Sequence, residues 1–126
     1  LENLRGGSAK TPDYQNVVAV IFSTPPLAKV GLLEREARAK GYDAEISSGD
    51  ISGWFDAKKG GLKHAFYKSI VDRKTRKILG LHLIGQHAEE VANAYAVAIN
   101  AGLTAAQFKQ NIFAFPTSID DSKHML

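Results

Sequence analysis

The stretch Lys77-Ile78-Leu79-Gly80-Leu81-His82-Leu83-Ile84-Gly85-Gln86-His87-Ala88-Glu89-Glu90-Val91-Ala92-Asn93-Ala94-Tyr95-Ala96-Val97-Ala98-Ile99-Asn100-Ala101-Gly102 changes period halfway along. Its first part, 77–84, alternates as a strand does: Leu79, Leu81 and Leu83 fall on one face, and Ile78, Gly80, His82 and Ile84 on the other. From 86 to 101 the spacing is helical, with Ala88, Val91, Ala92, Tyr95, Ala96 and Ile99 recurring at i, i+3, i+4, i+7. Gly102 ends that helix. Ala94, Val97 and Ala98 add a second apolar face. A helix apolar nearly all round is covered on two sides, and a chain of 126 residues has little with which to cover it alone. The helix therefore calls for a second subunit, with Val91, Ala94, Tyr95 and Ala98 as the expected dimer contacts.

Working backward, 65–72 is a second strand, joined to 77–84 by 73–76 as a hairpin. Residues 43–48 read as another strand, with Ala44 and Ile46 on one side, and 49–61 reads as irregular. Residues 34–40 form helix, with Glu34 and Glu36 in the first turn and Gly41 as terminator. The β-branched run 17–22 reads as a strand buried on both faces and stopped by Pro25-Pro26. Residues 1–12 read as a frayed helix end and linker. Working forward, Thr104-Ala105-Ala106-Gln107 is a capping box opening a short helix. An aromatic tail follows over 112–126. The expected fold class is α+β: an antiparallel sheet with helices packed on one face.

Composition restricts function further. There is no cysteine, so disulfides, thiolate nucleophiles and Cys-bound zinc are excluded from this segment. That is compatible with a cytoplasmic location, which is the expectation. The longest apolar run, 17–22, is far short of the roughly 20 residues that cross a bilayer, and no membrane partner is expected. The chain begins at Leu1 rather than Met and reads as a segment cut from a longer one. The formal charge of +3 is concentrated at Lys58-Lys59 with Lys63-His64, and at Arg73-Lys74 with Arg76-Lys77. The first cluster lies near Trp54, Phe55, Phe66 and Tyr67, a combination that can stack single strands. A charge of +3 over a whole domain is a weak field. A solvated loop rim and hairpin tip explain these residues better, and no nucleic acid is expected.

Catalytic patterns are missing. His64, His82, His87 and His124 form no HExxH, and no metal site is expected. There is no GxSxG elbow and no GxGxxG or GxxxxGK[ST] loop to cradle a pyrophosphate. Gly60-Gly61, flanked by lysines, can touch a phosphate, but a flexible loop is the simpler reading. The adjacent carboxylates Asp120-Asp121 usually point apart in an extended or turn segment.

Several motifs nevertheless recur in an order known from one family. Phe22-Ser23-Thr24-Pro25-Pro26-Leu27-Ala28-Lys29-Val30-Gly31-Leu32 comes first. Lys68-Ser69-Ile70-Val71-Asp72 and Ile78-Leu79-Gly80 through Gly85 follow, then Ala88-Glu89-Glu90, Ala101-Gly102-Leu103-Thr104 and Phe115-Pro116-Thr117. Together they resemble the C-terminal dimerisation (interface) domain of the pyridine nucleotide-disulfide oxidoreductases, in the glutathione reductase-like branch. The resemblance runs from about residue 17 to 117. It implies a linker over 1–16 from a preceding FAD domain and an interface domain over 17–126. It also implies a homodimer, and a full-length parent holding FAD and NAD(P) in domains outside this segment. In such a parent the interface domain of one subunit completes the other's active site, and the isolated segment is inactive. The alternative is a stand-alone binding or scaffold module that reuses the interface fold without redox chemistry.

The resemblance breaks at its chemical centre. Disulfide reductases of the family carry His-Pro-Thr-x-x-Glu, whose His is the acid–base. Here Phe115 and Asp120 stand at the His and Glu positions. Phenylalanine transfers no proton, which leaves the parent an FAD- and NAD(P)-dependent oxidoreductase with disulfide reduction in doubt. The resemblance instead implies Phe115 and Pro116 near the partner's flavin, as an apolar wall, with a cis peptide between them. Two smaller departures are Leu33, where a capping Thr is usual, and Arg76, where the hairpin often has Gly.

Overall fold

The computed structural model describes residues 14–126. The expected frayed helix end and most of the expected linker lie outside the described residues. Five strands form one antiparallel sheet in the order β1-β2-β5-β4-β3: β1 Ala19–Ile21, β2 Leu27–Gly31, β3 Ala44–Asp50, β4 Phe66–Asp72 and β5 Ile78–Ile84. The helices are α1 Glu34–Ala39, α2 Phe55–Lys59, α3 Ala88–Asn100, α4 Ala105–Lys109 and α5 Ser118–Ser122, and a 3₁₀ turn, Lys123–Met125, follows α5. This is the α+β architecture expected from the pattern.

The main core lies between the sheet and α3. Ala28 and Val30 of β2 and Leu81 and Leu83 of β5 meet Val91, Tyr95 and Ala98 of α3, all buried. A smaller cluster, Ala37, Ala44, Ile70 and Leu79, joins α1 to the opposite face of the sheet. Leu79 belongs to this second cluster, while Ile78 belongs to the first. Simple alternation had put Leu79 with Leu81. A register shift between Ile70 and Val71 skips Leu79, so the two residues exchange faces.

Three other readings need correcting. The run 17–22 is not buried on both faces. β1 is an edge strand paired only to β2, and Val17, Ile21 and Phe22 are exposed. Next, the chain does not leave the sheet after Pro25-Pro26. It returns at once as β2, which pairs with both β1 and β5. Finally, 49–61 is not simply irregular, since β3 extends to Asp50 and α2 occupies Phe55–Lys59. Gly60 caps α2 and Gly61 follows at φ 67°, so this glycine pair serves as the helix stop.

Local chemistry explains the ends of the elements. Thr104 and Gln107 form the expected reciprocal box, with Gln107 N donating to Thr104 Oγ1 at 3.2 Å and Thr104 N to Gln107 Oε1 at 2.9 Å. At α1, Leu33 offers no side-chain oxygen, but its own N–H donates to Glu36 Oε2 at 2.9 Å. In the β4–β5 turn, Asp72 Oδ2 accepts from Thr75 N at 3.0 Å and from Thr75 Oγ1 at 2.6 Å. These bonds hold the Asp72 carboxyl below its ordinary range. Arg76, standing where the hairpin often has Gly, takes the left-handed conformation at φ 60°, and its guanidinium pairs with Glu45.

Candidate dimer face and the C-terminal tail

The inward face of α3 packs on the sheet, and the tail closes over its Tyr95. The Tyr95 hydroxyl donates to Ser122 O at 2.8 Å, and its ring packs on Phe108 with centroids 4.6 Å apart. Phe108 in turn meets Phe113 at 5.5 Å. Tyr95 is fully buried, and burial pushes its phenol far above the ordinary range. Replacing Tyr95 by Phe should therefore destabilise the fold by about 1–2 kcal/mol, because the buried Ser122 carbonyl loses its donor. Urea unfolding measures this, and an unchanged midpoint would show that the bond contributes nothing.

Three of the four expected dimer contacts consequently lie inside this chain. Val91, Tyr95 and Ala98 are buried in its own core. Ala94 alone of the four reaches the outer side, where it is half-buried. With it on the outer stripe lie Glu90, Val97 and Ala101, all exposed, at helical spacing i, i+4, i+7, i+11. Val97 is 70% exposed, a large apolar side chain with nothing over it in the single chain. A groove of about 340 Å³ runs beside Ala94 between α3 and α5, with His87, Glu90, Thr117 and Ile119 among its walls.

The tail crosses the end of this groove. Phe115-Pro116 is a cis peptide, as is Thr24-Pro25. Phe115 is 77% exposed, and its ring sits 6.4 Å from that of Phe55, itself exposed. Thr117 Oγ1 donates to Ala114 O at 2.6 Å and accepts from Asp120 N at 3.3 Å, which caps α5. Asp120 pairs with Lys123 Nζ at 2.5 Å and orients no histidine. Asp121 faces the other way, toward α2. Its carboxyl is raised above the ordinary range, mainly by burial and further by Asp56 and Asp120.

The histidines are scattered. His82 is half-buried in the sheet with Nε2 3.3 Å from Leu32 O, and desolvation lowers its pKa. His124 stands edge-on to Trp54. His87, exposed at φ 54°, precedes α3. Among the described residues no group of three His, Cys, Asp or Glu is placed to hold a metal ion. No helix among them is long and apolar enough to cross a membrane. Val97 and Ile119 were not among the expected contacts. Val97 was visible as part of a second apolar face, whereas Ile119 becomes relevant only once the tail folds back.

The fold is an antiparallel sheet backed by one long helix whose outer stripe is left open in the single chain. This chain belongs to the pyridine nucleotide-disulphide oxidoreductase dimerisation-domain family, whose model matches residues 17–126. It is 36% identical over 124 residues to an uncharacterized 19.7 kDa protein of a mercuric resistance operon in Staphylococcus aureus, covering 98% of this chain and 69% of that protein. It is 34% identical over 110 residues to the chloroplastic/mitochondrial glutathione reductase of Pisum sativum, covering 87% of this chain but only 20% of the reductase. In structure it is similar to RclA of Escherichia coli, a HOCl-induced flavoprotein disulfide reductase. The TM-score is 0.88 at 28% identity, over 98% of this chain and 29% of RclA. The chain thus spans less than a third of the reductases it resembles.

Proposed function

We propose that this domain is a self-associating module that pairs with a second copy through the outer face of α3 and the adjoining tail, with no redox chemistry among its own residues. The observation that carries the reading is the open stripe around Val97 and Ala94, in a domain of a dimerisation family. Phe115 supports the second half of it, since the family's acid–base position is filled by a group with no transferable proton. The Staphylococcus relative supports it as well, because at 19.7 kDa that protein is itself small. Sedimentation equilibrium is the test, and a concentration-dependent dimer is expected. A monomer at high micromolar concentration sinks the proposal. Equilibrium dialysis against FAD and NADPH should leave both unbound, and stoichiometric flavin on the purified domain would overturn that half of the reading.

A second reading is favoured by the exposed Phe115. In a longer flavin-dependent parent, Phe115 and Pro116 would lie against the partner's flavin as an apolar wall, and FAD and NAD(P) would occupy domains outside this segment. A reading frame upstream of residue 1 that encodes GxGxxG supports this version, and a start codon just before residue 1 supports the module. Disulfide turnover by such a parent, with the pH profile of a His-bearing enzyme, would contradict the wall.

A further inference from the structure

The main core uses only one face of the sheet. Ala28, Val30, Leu81 and Leu83 turn toward α3, so their neighbours Leu27, Lys29, His82 and Ile84 turn the other way. α1 covers this outer face at the end near the β4–β5 turn, through Ala37, Ile70 and Leu79. Two rows lie beyond α1. The nearer is basic: Lys29, His82 and Lys68 are register partners on β2, β5 and β4. The further is apolar: Ile21, Leu27, Ile84 and Phe66 are register partners on β1, β2, β5 and β4. Ile21, Leu27 and Phe66 are exposed and Ile84 is half-buried, so an unbroken apolar row crosses four strands.

Two grooves on this face meet at His82. One, of about 240 Å³, is lined by Ile21, Leu27 and Lys29, and the other, of about 520 Å³, by Arg35, Arg38 and Lys68. The acids nearby are already committed. Glu34 pairs with Lys68 at 2.5 Å and with Arg38 at 3.1 Å. Glu36 accepts from Leu33 N, and Asp50, at the far end of the apolar row, accepts from Ser52 N. Lys29 and Arg35 have no acidic partner among the described residues. The unbalanced charge beside the apolar row is therefore positive.

We propose that this outer face docks an acidic amphipathic helix of a partner protein, laid across the strands. Its apolar stripe rests on Ile21, Leu27, Ile84 and Phe66, and its carboxylates meet Lys29, His82 and Arg35. The dimensions agree. Four strands about 4.8 Å apart make a row about 14 Å long, and three helical turns of about 5.4 Å span it. Each turn thus sets one apolar side chain near one strand, as in other helix-in-groove contacts. The basic row lies two residues along the strands, about 7 Å away, within reach of a glutamate on the helix flank. A second copy of this chain fits less well, because its own outer face brings the same basic row and no free acid. α3 lies on the other side of the sheet, so this docking is independent of self-association. His82 supplies a local reporter. Burial holds its pKa below the ordinary value, with Lys29 and Lys68 adding to the effect, and a carboxylate set beside it acts in the opposite direction.

The probe is a synthetic peptide of about 14 residues, blocked at both ends, with leucines at helical spacing on one face and glutamates flanking them. Calorimetry at low salt should show one peptide bound per chain. The matching peptide with lysine in place of glutamate should bind at least about tenfold more weakly. Lys29→Glu should reverse that preference. Leu27→Ser and Phe66→Ser should each weaken the glutamate peptide by about tenfold. All three residues lie on the surface, so the thermal melts should match that of the unsubstituted chain. In proton NMR the His82 ring should titrate at higher pH with the glutamate peptide bound. No binding at millimolar peptide, or equal affinity for the two peptides, overturns the proposal. Full affinity in both Lys29→Glu and Phe66→Ser overturns it too. If the Ala94→Arg chain still dimerises and adding Leu27→Ser abolishes that dimer, the face belongs to a second copy and the proposal falls. If phosphatidylserine vesicles bind in place of the peptide and Phe66→Ser releases them, the face belongs to lipid and the proposal falls likewise.

Discussion

Gly31→Ala should lower the stability of this domain by about 3–5 kcal/mol, a large part of what a small domain has. Gly31 and Gly80 are register partners on β2 and β5. A Cβ at Gly31 would stand 2.2 Å from Leu79 O and 2.9 Å from Gly80 Cα, with Ile99 Cδ1 at 3.0 Å. The first two atoms are backbone and cannot swing away. Gly31 also has φ 71°, which an L side chain occupies at a cost of about 1–2 kcal/mol. Relief requires β2 to move off β5, and the bond from Leu32 N to Leu79 O, 2.8 Å long, goes with it. Gly80→Ala should be nearly as damaging, because its Cβ would lie 2.4 Å from Leu32 O. Gly53→Ala is the control: nothing lies within 4 Å of that Cβ, and its effect should stay within about 0.5 kcal/mol. Urea unfolding of all three decides. Equal midpoints for Gly31→Ala and Gly53→Ala would show that the close approach carries no cost.

The same two glycines explain why part of the fold could be read without coordinates. Val30-Gly31-Leu32 and Leu79-Gly80-Leu81 were recognisable as motifs, and what they encode is a single backbone contact between two strands. Elements whose signal is local were also legible. The β4–β5 hairpin alternates, α3 repeats at helical spacing, and Thr104 and Gln107 cap each other within one turn. Elements whose signal depends on tertiary partners were not. β2 buries only Ala28 and Val30 and carries Lys29 between them, too weak a pattern to follow two prolines. α2 is entered from Trp54, which has no capping bond, and ends after five residues. The face taken by Leu79 depends on a register shift against β4. The candidate site divides in the same way. That α3 has two apolar faces was visible in its sequence. Which face turns inward was not, because it depends on tertiary partners: the sheet, and a tail whose Ser122 carbonyl accepts the Tyr95 hydroxyl from 27 residues away.

That inward choice fixes which substitution separates association from folding. Ala94→Arg should leave the chain folded and weaken its dimer by more than about a hundredfold, close to 3 kcal/mol. The motivation is the outer stripe Glu90, Ala94, Val97 and Ala101, whose small residues let a second helix come close. An arginine at its centre places a hydrated charge where the partner's apolar surface would lie, and an unpaired buried charge costs about 3–5 kcal/mol. In the monomer the same guanidinium can extend into water, because Ala94 borders an open groove. The thermal midpoint at concentrations where both chains are monomeric should therefore stay within a few degrees, about 1 kcal/mol for a domain of this size. Asn93→Arg is the matched control. It is exposed one position away and off the stripe, so the dimer should survive it. Ala98→Arg is not an equivalent probe, despite lying one turn from Ala94. Ala98 is 2% exposed and packed in the main core, so arginine there should unfold the chain, and loss of dimer would follow for an uninformative reason. Sedimentation equilibrium with a circular dichroism melt separates the cases. If Ala94→Arg dimerises like the unsubstituted chain, or Asn93→Arg dissociates as readily, the outer stripe of α3 is not the contact.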